Sequence, residues 1–107
     1  MAIGIGQLLV CEEYFLLIYS SAGLAMAAAK HGQTHGTSVV GVDDEASAYG
    51  VASFWEHHQG APVTYCEPNK VLLVLKQEEQ CLQVLAGDKV GWINNQDWLN
   101  LKEMCDD

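Results

Sequence analysis

Residues 70–101 read KVLLVLKQEEQCLQVLAGDKVGWINNQDWLNL, and in this stretch turn chemistry, strand alternation and spacing agree on one architecture. Val71-Leu72-Leu73-Val74-Leu75 is an apolar strand, Gln77-Glu78-Glu79-Gln80 a polar turn, and Cys81-Leu82-Gln83-Val84-Leu85 a second strand. A tight turn at Ala86-Gly87-Asp88-Lys89 then leads into a third strand, Val90-Gly91-Trp92-Ile93. Short strands joined by tight turns make a meander. The rest of the chain is fitted around it.

The first of these strands is apolar at five consecutive positions, whereas a half-exposed strand alternates. Both of its faces therefore require cover, since burying each such side chain stabilises by about 1.5–3 kcal/mol. The meander's interior buries one face. For the other, the expected lid is an upstream helix carrying Trp55, and the alternative is a second copy of the chain packed against an edge strand.

Upstream, Gln7 to Tyr19 reads as a strand or strand pair from Val10, Tyr14, Phe15, Ile18 and Tyr19, with a helix as the alternative. Ser20 or Ser21 offers an N-cap for a short alanine-rich helix over Ala22 to His31, which Gly32 closes. Ser38 to Val42 adds a brief strand. Asp43 or Asp44 caps a second helix running to about His58, with Gly60 just beyond it and Pro62 preventing continuation. Ala48, Val51, Ala52 and Trp55 share one face of that helix, which marks the face as buried.

Length and charge narrow the function classes. At 107 residues the chain is one domain, 1–107, with a single modest core. Half of its residues are hydrophobic, enough for part of that surface to be covered by another subunit. Acidic residues outnumber basic ones 14 to 5, giving a net charge of −9. Such a chain repels phosphate backbones and lacks the basic stripe that nucleic acid or an anionic membrane requires. The uncharged run from Tyr14 to Ala29 is shorter than a membrane helix and is broken by Ser20, Ser21 and Gly23. No Lys or Arg precedes Lys30, so the amino terminus does not read as a secretory signal and a cytoplasmic location is expected. In that compartment Cys11, Cys66, Cys81 and Cys105, which lack paired metal-type spacing, are expected as thiols.

Residues 62–101 resemble the carboxy-terminal part of an SH3-like barrel. The match runs from Val63-Thr64-Tyr65-Cys66 through a diverging turn at Glu67-Pro68-Asn69-Lys70, the three meander strands, a helical turn at Asn94-Asn95-Gln96-Asp97 and a last strand at Trp98-Leu99-Asn100-Leu101. The resemblance implies an α+β, mainly β fold: a small SH3-like barrel whose opening strand comes from Gln7 to Tyr19. It also implies that residues 20–60 form a two-helix insertion in the loop after the first strand. Peptide-binding members of the family hold proline-rich ligands in an aromatic groove. Here Cys81 stands where the groove's tryptophan is expected and Asn94 where its proline is, with Trp98 the one stand-in for the following tyrosine. That argues against proline-rich ligands. The similarity is closer to bacterial SH3-like modules, some of them small orphan proteins, whose roles are mostly binding or regulatory.

Tyr14, Tyr19, Trp55, Trp92, Asn94 and Trp98 are the candidate binding residues, with core packing as the plainer reading of the aromatic ones. His31 and His35 have the i, i+4 spacing of a helical metal pair, but zinc requires three or four converging ligands. No metal or other cofactor is expected. For an enzyme, the best pairing is a Cys66 nucleophile with His57 or His58 as base. Gly4-Ile5-Gly6 is too little for a phosphate cradle, and Glu12-Glu13 and Glu78-Glu79 are adjacent pairs rather than a spaced catalytic couple. The expectation is a non-catalytic interaction or regulatory module whose partner is another protein or itself. The alternative is a small-molecule or metal-binding protein, enzymatic or not, with a pocket between the helical insertion and the barrel.

Overall fold

A computed structural model describes residues 4–35 (side chains through Lys30), 43–78, 80–94 and 100–103. The described residues form an α+β domain, mainly β, with one seven-stranded antiparallel sheet and two helices among them. The strands are β1 (Leu8–Cys11), β2 (Leu16–Tyr19), β3 (Val63–Cys66), β4 (Val71–Glu78), β5 (Cys81–Ala86), β6 (Lys89–Asn94) and β7 (Leu101–Glu103). Helices α1 (Ala22–His35) and α2 (Glu45–Gln59) fall between β2 and β3. The strand order is β3-β2-β6-β5-β4-β1-β7, with β3 and β7 as its two ends. The sheet is not closed into a barrel.

The meander β4-β5-β6 stands where the sequence places it, and its second turn narrows to Gly87-Asp88, with Gly87 at φ 65°. Residues 7–19 form a strand pair rather than one opening strand. β1 lies on β4, β2 meets β6 at Tyr19–Trp92, and the helices therefore follow the second strand, not the first. The sheet is strongly curled. Five strand spacings separate β1 from β3 in the pairing order, about 24 Å if the sheet were flat, yet the Cys11 thiol on β1 is 3.9 Å from the Cys66 carbonyl oxygen on β3.

Curling gives the sheet two apolar faces. Inside lie Leu9, Cys11, Leu16, Ile18, Cys66, Leu72, Val74, Leu82, Val84, Ile93 and Leu101. On the outside, Leu17, Tyr19 and Cys81 pack with Leu24, Ala25, Ala28, Ala52 and Trp55 of the helices. Because successive strand residues alternate faces, every residue of Leu16–Tyr19 is buried, even residues inside and odd ones under the helices. β2 is thus the strand that needs cover on both sides.

The lid lies elsewhere than the sequence suggests. α1 packs on β6, β5 and β2, and α2 on β3 and β2, so Trp55 covers Tyr19 rather than Val71–Leu75. The five-residue apolar run of β4 is accommodated differently: a bulge at Leu75 shifts its register, and Val71 stays 38% exposed. α2 has the expected ends, with Asp44 capping the Ser47 amide at 2.7 Å and Gly60 left-handed at φ 70°. α1 runs through Gly32 to His35, three residues past the expected stop, because a glycine inside a helix weakens it without ending it. The expected strand over Ser38 to Val42 and most of the expected turn and strand from Asn94 to Leu101 lie outside the described residues; β7 occupies Leu101–Glu103.

Candidate functional site

Beyond the ground covered by the helices, the outer face of the sheet carries apolar side chains in lateral register. Leu8 of β1 sits opposite Leu73 of β4, Leu73 opposite Leu85 of β5, and Leu85 opposite Val90 of β6. One row further along, Val10 pairs with Val71. Leu8 is 42% and Val90 55% exposed, while Val10, Leu73 and Leu85 are half-buried. An ordinary half-solvated sheet would alternate to polar residues here. A contiguous apolar patch of this kind marks a contact surface far more often than single exposed leucines do.

Among the described residues, charges of both signs flank these strands, including Lys70 next to Val71, whereas Glu103 lies opposite Leu9, whose side chain is on the inner face. Lys76 and Glu78 are joined at 2.9 Å, and Lys102 lies opposite Val10. The row Leu8–Leu73–Leu85–Val90 itself carries no charge, on a chain whose net charge is −9. Glu12, Glu13, Asp43, Asp44, Glu45, Glu56 and Glu67 lie in other parts of the fold.

Val90 also forms one wall of a cleft. β2 and β6 splay apart beyond their contact at Tyr19–Trp92, and the gap of about 400 Å³ is lined by Ile18, Tyr19, Pro62, Val63, Thr64, Lys89 and Val90. A second open cavity of about 420 Å³ shares Val63, Thr64 and Lys89 and reaches Tyr49, Ser53 and Glu56 of α2. At its edge the Tyr65 hydroxyl donates to Glu45 Oε1 at 3.1 Å, and this bond to a carboxylate raises the phenol's pKa.

The sequence-derived candidates sit elsewhere. Tyr19 and Trp55 are buried and meet edge to face at 6.3 Å, and Trp92 packs half-buried in the same helix–sheet cluster. Asn94 is fully buried and donates from Nδ2 to the Ala25 carbonyl oxygen at 3.0 Å, bolting β6 to α1. Tyr14 is half-buried, its backbone amide and carbonyl both held by Asn100. Trp98 lies outside the described residues. Tyr19, Trp55 and Asn94 thus have packing roles in the fold, and Leu8, Val90, Thr64 and Lys89, which line the patch and the cleft, were not among the sequence candidates. Only the pairing register could have found them, because Leu8 and Val90 meet the same face through two intervening strands.

Cys66 and the histidines of α2 are on opposite sides of the sheet. The Cys66 side chain joins the inner cluster, while His58 stacks on Phe54 at 5.5 Å on the outer helix. The Cys66–histidine catalytic pairing is therefore not assembled. The side chains of His31 and His35 lie outside the described residues, and among the described ones no three His, Cys, Asp or Glu side chains gather as metal ligands. No described helix is long and apolar enough to cross a membrane. Compared with known proteins, the chain matches no protein-family model, no curated protein and no solved structure.

Proposed function

We propose that this chain is a non-catalytic, SH3-like protein-interaction module whose first partner is a second copy of itself. The SH3-like reading is supported by the β4-β5-β6 meander, by its hard curl around one apolar interior, and by the diverging turn through Asn69 that leads into it. The single observation that carries the interaction reading is the uncovered row Leu8–Leu73–Leu85–Val90. Its uncharged row, with Lys102 opposite Val10 at the border, favours a second copy, since two molecules of net charge −9 approach most easily where the touching surfaces carry no negative charge. A two-fold pairing of this patch on itself buries the row and needs no other surface.

Sedimentation velocity over a concentration series tests this. The wild-type chain should form a dimer, and the double substitution Leu8→Asp with Val90→Asp should be monomeric with unchanged circular dichroism, because both side chains are already exposed. A wild-type chain that stays monomeric at its highest soluble concentration would sink self-association.

A second reading rests on the cavity of about 420 Å³ between α2 and β3, which falls within the size range of small-molecule sites. Its polar groups, Ser53, Glu56, Thr64 and Lys89, would orient a mixed-charge ligand. A thermal-shift screen of metabolites in which a hit loses its effect in Lys89→Ala, while the chain remains monomeric, would favour this reading over self-association.

A further inference from the structure

Two thiols meet inside the curled sheet. Cys11 near the end of β1 and Cys66 at the end of β3 both point into the inner core, and both are reduced. The Cys11 Sγ lies 3.9 Å from the Cys66 carbonyl oxygen, and the neighbouring Cys11 side chain is the main influence on the acidity of Cys66. The backbone fixes this meeting. Cys11 accepts from the Asn69 amide at 2.7 Å and donates to the Lys70 carbonyl at 3.0 Å, so the turn directly after Cys66 is fastened to Cys11 itself. Asn69 adopts φ 70° to make that turn.

The surroundings differ between the two sulfurs. Cys11 is fully buried, donates to the Tyr14 carbonyl oxygen at 2.9 Å and accepts from Asn100 Nδ2 at 3.3 Å. Cys66 keeps 6% of its surface. The Cys11 hydrogen bond, with help from Lys70, holds its pKa below the ordinary thiol value against the opposing effects of burial and Glu67. Thiolate character and access together select which sulfur an oxidant meets first, and here both select Cys66.

We propose that Cys11 and Cys66 form a peroxide-responsive thiol pair that closes to an intramolecular disulfide. In the first step the Cys66 sulfur attacks a peroxide oxygen, the O–O bond breaks, and the leaving oxygen departs as water or an alcohol with the thiol proton. This leaves a sulfenic acid on Cys66. The Cys11 sulfur then attacks the Cys66 sulfur, the S–O bond breaks, and the hydroxyl leaves as water with the Cys11 proton. Two thiols and one hydrogen peroxide give one disulfide and two waters, the two electrons passing from sulfur to the peroxide. Burial of the pair protects the sulfenic acid from further oxidation by placing the second thiol nearer than bulk peroxide.

The bond would have a defined mechanical effect. In the hydrogen-bonding order β3 is one end strand and β1 lies one strand from the other end, so the disulfide links across the side on which the sheet is not closed. Oxidation would lock the curl that side-chain packing and the Cys11 backbone bonds to Asn69 and Lys70 otherwise hold. The loop it closes runs from β1 through both helices to β3, which restricts the unfolded chain most strongly.

The test uses the full reduced chain treated with hydrogen peroxide, followed by intact mass, a thiol count on the denatured protein and non-reducing peptide mapping. The expected product is a monomer lighter by about 2 Da, as disulfide formation requires, with two of its four thiols lost, a Cys11–Cys66 linked peptide and a raised melting midpoint. Cys81→Ser should behave as wild type. Cys11→Ser should form no internal bond and should carry added oxygen on Cys66. If Cys11→Ser fails to fold, the linked peptide and the raised midpoint in the wild-type chain still decide. A product linked through Cys81 or Cys105, a disulfide between two chains, or oxygen added to Cys66 of the wild-type chain with Cys11 still reduced would overturn the pairing.

Discussion

Asn100 supplies the hydrogen bonds for a connection that the backbone alone leaves open. The chain leaves β1 at Cys11 and enters β2 at Leu16, and between them Asn100 Oδ1 accepts from the amides of Glu13 and Tyr14 at 3.0 and 3.1 Å. Its Nδ2 donates to the Tyr14 carbonyl oxygen at 2.6 Å, and its own carbonyl accepts from Glu12. Truncation leaves several part-buried polar groups without partners, so Asn100→Ala should destabilise by about 2–3 kcal/mol in urea denaturation. Asn100→Asp keeps the acceptor half and faces the Tyr14 carbonyl with a second acceptor, so it should recover only part of the loss. Gly91 is the other residue fixed by its surroundings. A Cβ there would come within 2.8 Å of the Tyr19 carbonyl oxygen and collide with Ile18, at the one place where β2 meets β6. Gly91→Ala should cost about 1–3 kcal/mol through overpacking, whereas the same change at exposed Gly50, whose Cβ meets nothing within 4 Å, should stabilise α2 slightly. Comparing the two unfolding midpoints checks both signs. An unchanged Gly91→Ala midpoint would mean that β2 has room to move away from β6.

α2 was legible because its signals are local. An aspartate four residues before Ala48 and a glycine after the last turn are readable without knowing the fold, and the cap forms at Asp44 with both Ser47 amide and hydroxyl donating to it. Those two bonds favour the carboxylate and lower the Asp44 pKa. A depressed carboxylate stabilises above its unfolded value and loses that contribution as pH falls through the folded value. The midpoint gap between wild type and Asp44→Ala should therefore be constant near neutrality and shrink below pH 3.8, the group's ordinary value. Thermal melts at stepped pH measure this, and a gap that persists in strong acid would assign the cap to geometry rather than charge. The meander was legible for the same reason, since its turns are written in adjacent residues. What stayed hidden is everything set by pairing between distant segments. Leu16-Leu17-Ile18-Tyr19 and Val71-Leu72-Leu73-Val74-Leu75 look alike as apolar runs, yet only the first is buried on both faces. Which run goes under the helices depends on the partner strand each finds, and no local pattern encodes that. The same limit left Tyr19 and Trp92 open between a binding groove and core packing, set Trp55 over the wrong strand, and concealed the row from Leu8 to Val90.

At the scale of the molecule, the helices use one part of the sheet's outer face and leave the rest apolar. That division sets how association should respond to salt. Each chain carries a net charge of −9, so two copies repel at long range, whereas the row Leu8–Leu73–Leu85–Val90 is itself uncharged, with Lys102 opposite Val10 at its border. The Debye length falls from about 30 Å at 0.01 M salt to about 8 Å at 0.15 M. Added salt therefore screens the repulsion between whole molecules while leaving the short-range apolar contact almost untouched. Dimerisation through this face should accordingly strengthen between those two salt concentrations, in the direction opposite to an association held by ion pairs, and then level off. Substituting Lys102→Glu at the border of the row should weaken the dimer at low salt, with the defect shrinking as salt rises, while Val90→Asp should abolish it at every salt concentration. Sedimentation velocity of the three proteins across the salt series separates these outcomes. A wild-type dimer that dissociates as salt rises would place the contact on charged surface instead of on this face.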